Sequence, residues 1–393
     1  MSDPLVSRMR AYERSIFGEL SAMATELHAV NLGQGFPDTG GPTQVREAAL
    51  AAIGSGLGDQ YPPAHGLPDL RAAISEHQAR FYGLSVDSGL GVVVATGASE
   101  AIAAAVLALV EPGQEVMLFD PYFDLYAAVI ALAGARRVTV PLTADALRPD
   151  VAAMRAAVTP ATRVLLLNSP HNPTGVVFTR EELSELAAFA HEHDLLVIAD
   201  EAYEHLWFDD NDHVPIATLP GMFDRTVTIG SGGKSFSFTG WKVGWATGPP
   251  DLIGAVRVVR QHLSYVSGGP FQYAMATGLR LPDDYFDAFR ADLTAKRDRL
   301  CEGLSDLGLR VIPPQGTYFA TTDVRPIGFT DGEEYCRRLP REAGVVAIPQ
   351  TALSDHPGTT GPYVRWAFCK QPAVLDEALV RLQRWLGHGD GSL

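Results

Sequence analysis

The stretch TVTIGSGGKSFSFTGWKVGWATG, residues 226 to 248, decides how the rest of the chain is interpreted. Its β-branched start, residues 226 to 229, predicts a short buried strand. The glycines that follow favour a sharp turn with exposed backbone N–H groups. Lys234 therefore lies just past the end of a predicted strand, and a second cation, Lys242, follows it. Desolvation in this apolar setting should lower the pKa of the Lys234 amine and make it a better nucleophile.

Two chemical interpretations of this stretch compete. Gly233-Lys234-Ser235 resembles the end of a phosphate-binding P-loop, but that motif requires glycine where Thr228 stands. The alternative is a lysine that forms a Schiff base with an aldehyde cofactor, beside a serine and a cation for the cofactor's phosphate. An ordinary surface lysine would leave the surrounding Gly, Ser and Trp pattern unexplained.

Composition and charge exclude several classes of protein. The chain has 393 residues, 46% of them hydrophobic and 20% charged, which is typical of a globular protein large enough for two domains. A net charge of −15 argues against nucleic acid or an anionic membrane as partner. The N-terminus lacks the apolar core of a signal peptide, and the longest apolar run, residues 101 to 110, is too short to cross a bilayer.

The cysteines and histidines indicate a reducing compartment and no metal motif. Cys301, Cys336 and Cys369 are far apart and odd in number, so we expect free thiols and a cytoplasmic protein. None of them has the spacing of a metal site, and His191-Glu192-His193 is not the HExxH motif. We therefore expect no metal.

Seven apolar segments predict the strands of one sheet, with helical patterns between most of them. Most of these segments are continuous apolar runs, which is typical of parallel strands covered on both faces. The fold class is therefore predicted to be α/β, with a doubly wound, mostly parallel, seven-stranded sheet. The predicted strands are Val92–Ala95, Glu115–Phe119, Arg137–Val140, Arg163–Leu167, Leu195–Ala199, Thr226–Ile229 and Gly244–Thr247.

Residues outside this sheet predict a second, smaller α+β domain. We place the large domain at residues 41–280, and the small domain at 281–393 together with the N-terminal segment 1–40. Strand-like pieces are predicted near Leu309–Ile312, Tyr318–Thr321, Val345–Ile348 and Tyr363–Phe368. Apolar periodicity predicts helices at Met9–Leu27, Thr43–Ser55, Leu70–Phe81, Asp284–Leu307 and Pro372–Leu386.

Five predicted strands are followed by groups that could bind a ligand. In a doubly wound sheet the ligand lies beyond the carboxyl ends of the strands. These ends carry a helix N-terminus at 97–99, an aromatic pair at 122–123, Asn172, Asp200 with Tyr203, and Lys234. The N–H groups of Gly97, Ala98 and Ser99 would face an anion at the positive end of their helix.

Three motifs, in order, carry a resemblance to a known family. NSPHNPTG (168–175), ADEAYEHL (199–206) and SGGKSFSFTGWKVGW (231–245) resemble the class I branch of the fold-type I pyridoxal phosphate-dependent aminotransferases. The resemblance runs from about residue 31 to 370. It implies pyridoxal 5′-phosphate as cofactor and ping-pong transfer of an amino group from an amino acid to a 2-oxo acid. Lys234 would form the Schiff base and shuttle a proton at the substrate α-carbon.

The resemblance also implies the residues that hold the cofactor ring. Asp200 matches the carboxylate that keeps the pyridine nitrogen protonated. Tyr203 and Asn172 match the hydrogen-bond donors to the phenolic oxygen. Phe123 matches the aromatic that stacks on the ring, and Tyr122 is the alternative.

For the phosphate, the resemblance adds Ser231 and Lys242 to the helix N-terminus. Lys242 stands where many relatives have arginine, and a lysine cannot make the same bidentate contact. Tyr61 resembles a tyrosine that reaches the phosphate from the neighbouring subunit. The resemblance therefore implies a homodimer with shared sites.

The substrate-binding residues implied are Arg365, the backbone of Gly35, the amide Asn172, and Tyr265. Arg365 would bind the substrate carboxylate through two parallel hydrogen bonds. The segment 263–272 has no arginine for a second carboxylate, and Val266 stands where kynurenine aminotransferases carry histidine. The segment most resembles actinobacterial N-succinyldiaminopimelate aminotransferases.

Alternative functions remain at this point. Transaminases of the kynurenine, glutamine or methionine type and cysteine-conjugate β-lyases would share every residue named. A P-loop nucleotide-dependent enzyme would bind ATP or GTP instead of the cofactor. A cofactor-binding transcription regulator would need a DNA-binding region, for which the segment before residue 31 is short.

Overall fold

A computed structural model describes residues 4–13, 16–144 and 146–387. The strands are β1 (Val30–Asn31), β2 (Val92–Thr96), β3 (Glu115–Asp120), β4 (Arg136–Pro141), β5 (Thr162–Asn168), β6 (Leu196–Asp200), β7 (Thr226–Ser231), β8 (Val243–Thr247), β9 (Arg310–Ile312), β10 (Phe319–Asp323), β11 (Val345–Val346), β12 (Ile348–Pro349) and β13 (Tyr363–Ala367).

Helices precede, connect and follow these strands. They are α1 (Ile16–Glu26), α2 (Thr43–Gly54), α3 (Pro68–Tyr82), α4 (Gly97–Leu109), α5 (Leu125–Leu132), α6 (Val151–Ala157), α7 (Arg180–Glu192), α8 (Gly232–Ser235), α9 (Pro250–Leu263), α10 (Gly269–Leu279), α11 (Asp283–Asp306), α12 (Gly332–Glu342), α13 (Pro357–Thr360) and α14 (Pro372–Gly387). Short 3-10 turns lie at Ser7–Tyr12, Ile216–Thr218, Phe223–Arg225, Thr239–Trp241, Arg325–Ile327 and Gln350–Leu353.

The seven-stranded sheet has the order β2-β8-β7-β6-β5-β3-β4. All seven predicted strands are confirmed, with ends that differ by at most two residues. The β3–β4, β3–β5, β5–β6 and β6–β7 pairs are parallel, whereas β8 is antiparallel to both of its neighbours. The prediction of a doubly wound, mostly parallel sheet is confirmed, and β7 and β8 form a hairpin-like pair within it.

Both faces of this sheet are buried, which explains the continuous apolar runs. Along β5, Val164 and Leu166 belong to one hydrophobic cluster, and Leu165 and Leu167 belong to another. Neighbouring strand residues point to opposite faces, so an apolar side chain is needed at every position. Burial on two faces holds the strand ends rigidly, and the functional edge of the sheet depends on that rigidity.

The C-terminal part of the chain forms a separate antiparallel sheet of order β12-β13-β10-β9. The N-terminal segment joins this part, because β1 pairs in parallel with β11 through Val30 and Val345. A third cluster combines side chains of α11, α12, α14 and β13 with residues that follow β6, such as Leu206. The division at residues 41–280 stays a prediction, but the pairing shows how residues near 30 reach the C-terminal region.

Two local predictions were wrong in detail. The predicted continuous helix over Met9–Leu27 is a 3-10 turn, Ser7–Tyr12, followed by a separate α1. Tyr12 packs on a cluster of the large sheet, whereas Leu20 of α1 packs beside β12, so the two halves bury against different cores. The predicted strand Val345–Ile348 is two strands, since β11 pairs with β1 and β12 pairs with β13.

The other predicted helices are confirmed as α2, α3, α11 and α14, each with ends within two residues of the prediction. Within the described part of the chain, no helix has the length and apolar character needed to cross a bilayer.

Candidate active site

A cavity of about 340 Å³ opens where β2, β3, β5, β6 and β7 end. Its wall also includes residues from the N-terminal loop and from β10 and β13, so both parts of the chain contribute. Twelve of the residues predicted from the sequence line it: Gly35, Gly97, Ala98, Ser99, Phe123, Asn172, Asp200, Tyr203, Ser231, Lys234, Lys242 and Arg365. Of these twelve residues, Gly35 and Arg365 are the farthest apart in the sequence, 330 positions from each other, and the structure brings them to one cavity.

Lys234 lies on α8, a single helical turn that directly follows β7. Its Nζ donates a hydrogen bond to the Tyr318 hydroxyl at 2.8 Å, and that hydroxyl donates to the Gly35 carbonyl at 2.6 Å. Burial is the main reason that the pKa of the Lys234 amine is lowered to about 8; the positive charges of Lys242 and Arg365 act in the same direction, and Cys369 and Asp200 oppose the fall. The expected fall in pKa is confirmed, and a useful fraction of the amine is unprotonated near neutral pH.

Asp200 ends β6 and is held by hydrogen bonds from both sides. The Tyr126 hydroxyl donates to its Oδ2 at 2.6 Å, and the Ala202 N–H donates to its Oδ1 at 3.1 Å. Burial raises the pKa of the Asp200 carboxyl, while these hydrogen bonds and the Lys234 charge oppose the rise. Asn168, the last residue of β5, links Asp200 to the Asn172 loop: its amide donates to the Asp200 carbonyl, and its Oδ1 accepts from the Asn172 N–H.

The start of α4 and the start of β8 lie close together and offer groups that would suit an anion. Gly97 has φ +77°, and a Cβ there would lie 3.2 Å from Lys242 Nζ. Gly244 is equally constrained, because its Cβ would lie 2.5 Å from the Ala98 nitrogen. The N-terminus of α4 carries positive partial charge, so backbone N–H groups, Lys242 and the cavity-lining Ser231 together suit a phosphate.

Arg365 of β13 forms the opposite wall of the cavity. Its Nη1 donates to Asn172 Oδ1 at 3.0 Å, its Nη2 donates to the Gly33 carbonyl at 2.8 Å, and its guanidinium carbon lies 4.0 Å from the Phe319 ring centroid. Burial lowers the pKa of the guanidinium to about 10, so it stays charged near neutral pH. Its Nε is buried without a hydrogen-bond partner among the described residues, and a substrate carboxylate would satisfy it.

Two predicted residues lie outside the cavity of this chain. Tyr61 and Tyr265 contact each other, with ring centroids 5.5 Å apart, and their exposed fractions are 79% and 47%. Their predicted roles therefore require a neighbouring subunit. Of the two aromatic candidates after β3, Phe123 lines the cavity, whereas the Tyr122 hydroxyl donates to Asp355 outside it.

Several cavity residues were not found from the sequence. Asp124 follows Phe123 directly, and Phe17, Gln34 and Phe36 come from the N-terminal segment. Phe17 lay in a segment predicted only as a helix, and Asp124 differed from its neighbours only in charge. Tyr318, which contacts Lys234 without lining the cavity, was also missed, because it lay in a predicted strand where an apolar role was the simpler interpretation.

These residues fit pyridoxal phosphate. Lys234 offers an amine of lowered pKa, Asp200 offers a carboxylate for a ring nitrogen, and the start of α4 with Lys242 offers a cradle for the phosphate. Arg365 offers an unsatisfied donor for a carboxylate. The fold and the site together define a pyridoxal phosphate-dependent transferase of fold type I.

The chain belongs to the class I and II aminotransferase family, whose family model matches residues 28–382. It is 49% identical over 387 residues to the probable N-succinyldiaminopimelate aminotransferase DapC of Mycobacterium tuberculosis, covering 96% of this chain and 97% of that protein. It is 34% identical over 385 residues to the methionine aminotransferase of Escherichia coli, covering 98% and 99% of the two chains.

Solved structures give the same picture. The N-succinyldiaminopimelate aminotransferase structure from Mycobacterium tuberculosis superposes with a TM-score of 0.95 at 50% identity, covering 97% of this chain and all of the other. The protein is therefore a pyridoxal phosphate-dependent aminotransferase, with an amino acid and a 2-oxo acid as substrates.

Proposed function

We propose that this aminotransferase uses N-succinyldiaminopimelate as amino donor and 2-oxoglutarate as acceptor. The observation that carries the proposal is the 49% identity, over nearly the full length of both chains, to the Mycobacterium tuberculosis protein of that name. The kynurenine–oxoglutarate transaminases of Dictyostelium discoideum and Mus musculus and the methionine aminotransferase of Escherichia coli share only 34–36% identity with this chain, so the Mycobacterium tuberculosis protein is nearer than they are.

The residues of the cavity have distinct roles in this reaction. Pyridoxal phosphate, when bound, supplies an electron sink for the carbanion at the substrate α-carbon. Lys234 takes the proton from that carbon, for which its lowered pKa is suited. Arg365 binds the α-carboxylate and thereby orients the α-carbon toward Lys234, while Asp200 would hold a proton at the ring nitrogen.

The transfer of the proton depends on where the Lys234 amine rests. In the cofactor-free protein the Tyr318 hydroxyl accepts from Nζ and is itself fixed by the Gly35 carbonyl, so the free amine has one defined position. Gly35 lies on the loop that also faces the substrate. The amine therefore lies between Tyr318 and the loop that faces the substrate.

A second donor class is favoured by the lining of the cavity. Its cations are Lys234, Lys242 and Arg365, each of which already has a role, and aromatic rings of Phe17, Phe36 and Phe123 form much of the rest. Among the described residues of this chain, no further lysine or arginine lines the cavity to bind a distal carboxylate. An apolar donor such as methionine is the alternative, and a cysteine conjugate that undergoes β-elimination is a variant of it.

A donor panel tests the proposal. The kcat/KM of N-succinyldiaminopimelate, methionine, kynurenine and glutamine is measured with 2-oxoglutarate and with pyruvate as acceptors. We expect N-succinyldiaminopimelate to exceed every other donor by about tenfold or more, the ratio that 1.4 kcal/mol of transition-state binding gives. A higher kcat/KM for methionine or kynurenine would refute the substrate, and pyruvate released from a cysteine conjugate without an acceptor would indicate a lyase.

We further propose a homodimer in which Tyr61 of one subunit completes the phosphate site of the other. Tyr61 is 79% exposed, lies outside its own cavity and contacts the half-exposed Tyr265, so the two rings form an exposed aromatic patch of the kind that a partner surface covers. Mixing inactive Lys234→Ala protein with Tyr61→Ala protein tests this, because random hybrids restore about a quarter of the sites. No recovery after subunit exchange would refute shared sites.

Location in the cytoplasm stays a prediction from the free cysteines.

A further inference from the structure

A buried arginine lies on the helix that packs against α4, outside the active-site cavity. Arg260, near the end of α9, is 1% exposed although its guanidinium carries a charge. Helices α4 and α9 share one hydrophobic cluster, to which α4 contributes Ile102 and Val106 and α9 contributes Val256. Charged side chains are rarely buried this completely unless they have defined partners. The partners of Arg260 therefore indicate what it does.

One end of the guanidinium is held by two backbone carbonyls. Its Nη1 donates to the Ala64 carbonyl at 2.7 Å and also to the Tyr265 carbonyl. Tyr265 has φ +67°, in the left-handed region that a tyrosine rarely adopts, so its turn depends on contacts that hold it. Two acceptors in different loops therefore set the orientation of the guanidinium.

The other end of the guanidinium faces an acid in the first turn of α4. Arg260 Nε lies 3.6 Å from Glu100 Oε2, which is an ion pair but is too long for a hydrogen bond. The same oxygen accepts the Thr96 N–H at 2.5 Å, and Thr96 directly precedes Gly97. In the described part of the chain, no cation other than Arg260 forms an ion pair with Glu100.

The position of Glu100 is unfavourable for a phosphate that binds at the start of α4. The N–H groups of residues 97–99 suit an anion, yet Glu100 lies only about 4.5 Å further along the helix axis than Gly97. A carboxylate in the first turn stabilises a helix, but it also repels a second anion at the same end. Glu100 Oε1 is buried, so water screens this repulsion poorly. A cation beside Glu100 would offset it.

We propose that Arg260 is a positioning residue for the cofactor phosphate, although it does not line the cavity. It neutralises Glu100 and keeps that carboxylate on the Thr96 N–H, so the start of α4 keeps both its place and its positive potential. The carbonyls of Ala64 and Tyr265 hold Arg260 in turn. Lys242 acts differently, because it lines the cavity and would meet the phosphate itself.

The test compares pyridoxal 5′-phosphate with pyridoxal, which carries the same aldehyde without the phosphate. Each ligand is titrated by fluorescence into full-length protein from which the cofactor has been removed. Arg260→Met should weaken the binding of pyridoxal phosphate about 10-fold, as expected for one unit charge about 10 Å away at an effective dielectric constant of about 20. Pyridoxal lacks the phosphate charge, so its affinity should change less than about twofold.

Substitutions of Glu100 separate this electrostatic role from a purely structural one. Adding Glu100→Gln to Arg260→Met removes the uncompensated carboxylate, while the amide oxygen can still accept the Thr96 N–H. The double variant should therefore recover an affinity for pyridoxal phosphate within about threefold of wild type. Glu100→Gln alone leaves Arg260 positive and should tighten pyridoxal phosphate about threefold or more.

Arg297→Met is the matched control. Arg297 is also buried and paired, with Asp209 at 2.6 Å, but it lies outside the cavity. Its loss should leave the ratio of the two affinities as it is in the wild type.

Either of two results would overturn the proposal. One is Arg260→Met protein in which both affinities fall by the same factor or do not fall at all, because a loss of packing would not distinguish the two ligands. The other is a double variant that binds pyridoxal phosphate no better than Arg260→Met does. If Arg260→Met does not fold, Glu100→Gln decides, and an affinity for pyridoxal phosphate no tighter than wild type would overturn the proposal.

Discussion

Replacing Arg365 by lysine tests how the substrate is held. The guanidinium is fixed by Asn172 Oδ1 at 3.0 Å and the Gly33 carbonyl at 2.8 Å, with Phe319 beneath it. Lysine keeps the charge but cannot make both contacts and also bind a carboxylate through two parallel hydrogen bonds. Losing one charge-assisted hydrogen bond costs about 2–3 kcal/mol. We therefore expect kcat/KM for amino-acid donors to fall about 30- to 150-fold.

The assay compares two donors that differ only in the α-carboxylate. The best donor of the panel and the corresponding amine without that carboxylate are followed as the first half-reaction, from the change in cofactor absorbance. The amine should react slowly with both enzymes and should lose almost nothing on substitution. Arg297→Lys is the matched control, because Arg297 is also buried and paired, with Asp209 at 2.6 Å, but lies outside the cavity. An equal loss for both donors, or a similar loss in the control, would refute carboxylate binding by Arg365.

Three further predictions concern the cofactor side of the cavity. The lowered pKa of Lys234 implies that a charged amine destabilises the cofactor-free protein. A fall of the pKa from 10.5 to about 8 corresponds to a loss of roughly 3 kcal/mol in the free energy of unfolding while the amine is charged. Urea unfolding should therefore find cofactor-free Lys234→Met more stable than wild type below pH 8, with the difference shrinking as pH rises from 8 to 10.5; a constant difference would contradict the lowered pKa. Gly97→Ala should strain the backbone, because φ is +77° there, and should crowd Lys242. We expect a fluorescence titration to show cofactor affinity weakened about 10-fold, and unchanged affinity would contradict the phosphate site. Asp200→Asn should lower kcat at least about 100-fold with little change in KM, as expected for an interaction made mainly in the transition state; a change confined to KM would contradict that role.

Local patterns were enough to predict most of the fold. Two-sided burial leaves a continuous apolar run in the sequence, as at 164–167, so each strand could be recognised alone. The reversed direction of β8 was not stated in advance. The connection from 232 to 242 is shorter than a parallel crossover usually needs, so the sequence did contain that information.

The active site was predictable where a motif carried it. Lys234 and Asn172 follow strands and Asp200 ends one; all three belong to a recognisable motif, and the structure gathers them in one cavity. Tyr318 and Tyr126 could not be assigned, because their hydroxyls meet Lys234 and Asp200 from segments 84 and 74 positions away. Such contacts depend on tertiary packing and leave no local periodicity.

The same limit applies to the buried histidines His77 and His205, whose Nε2 atoms are hydrogen-bonded at 2.8 Å. They are 128 positions apart, so their contact leaves no local pattern in the sequence. Within ADEAYEHL, the residue His205 was interpreted only as part of the motif around Asp200 and Tyr203. Only the packing of α3 against that segment brings the two imidazoles together.

The reversal of β8 has a consequence for how the enzyme can be altered. Because β7 runs toward the functional edge and β8 runs away from it, Lys234 and Lys242 stand at the two ends of one short connection. Their separation is fixed by the length of residues 232 to 242 and not by the docking of distant segments. One inserted or deleted residue there would rotate one cation out of place, so natural length variation should avoid this connection. In enzyme redesign, the two strands and their link should be transplanted as a single cassette.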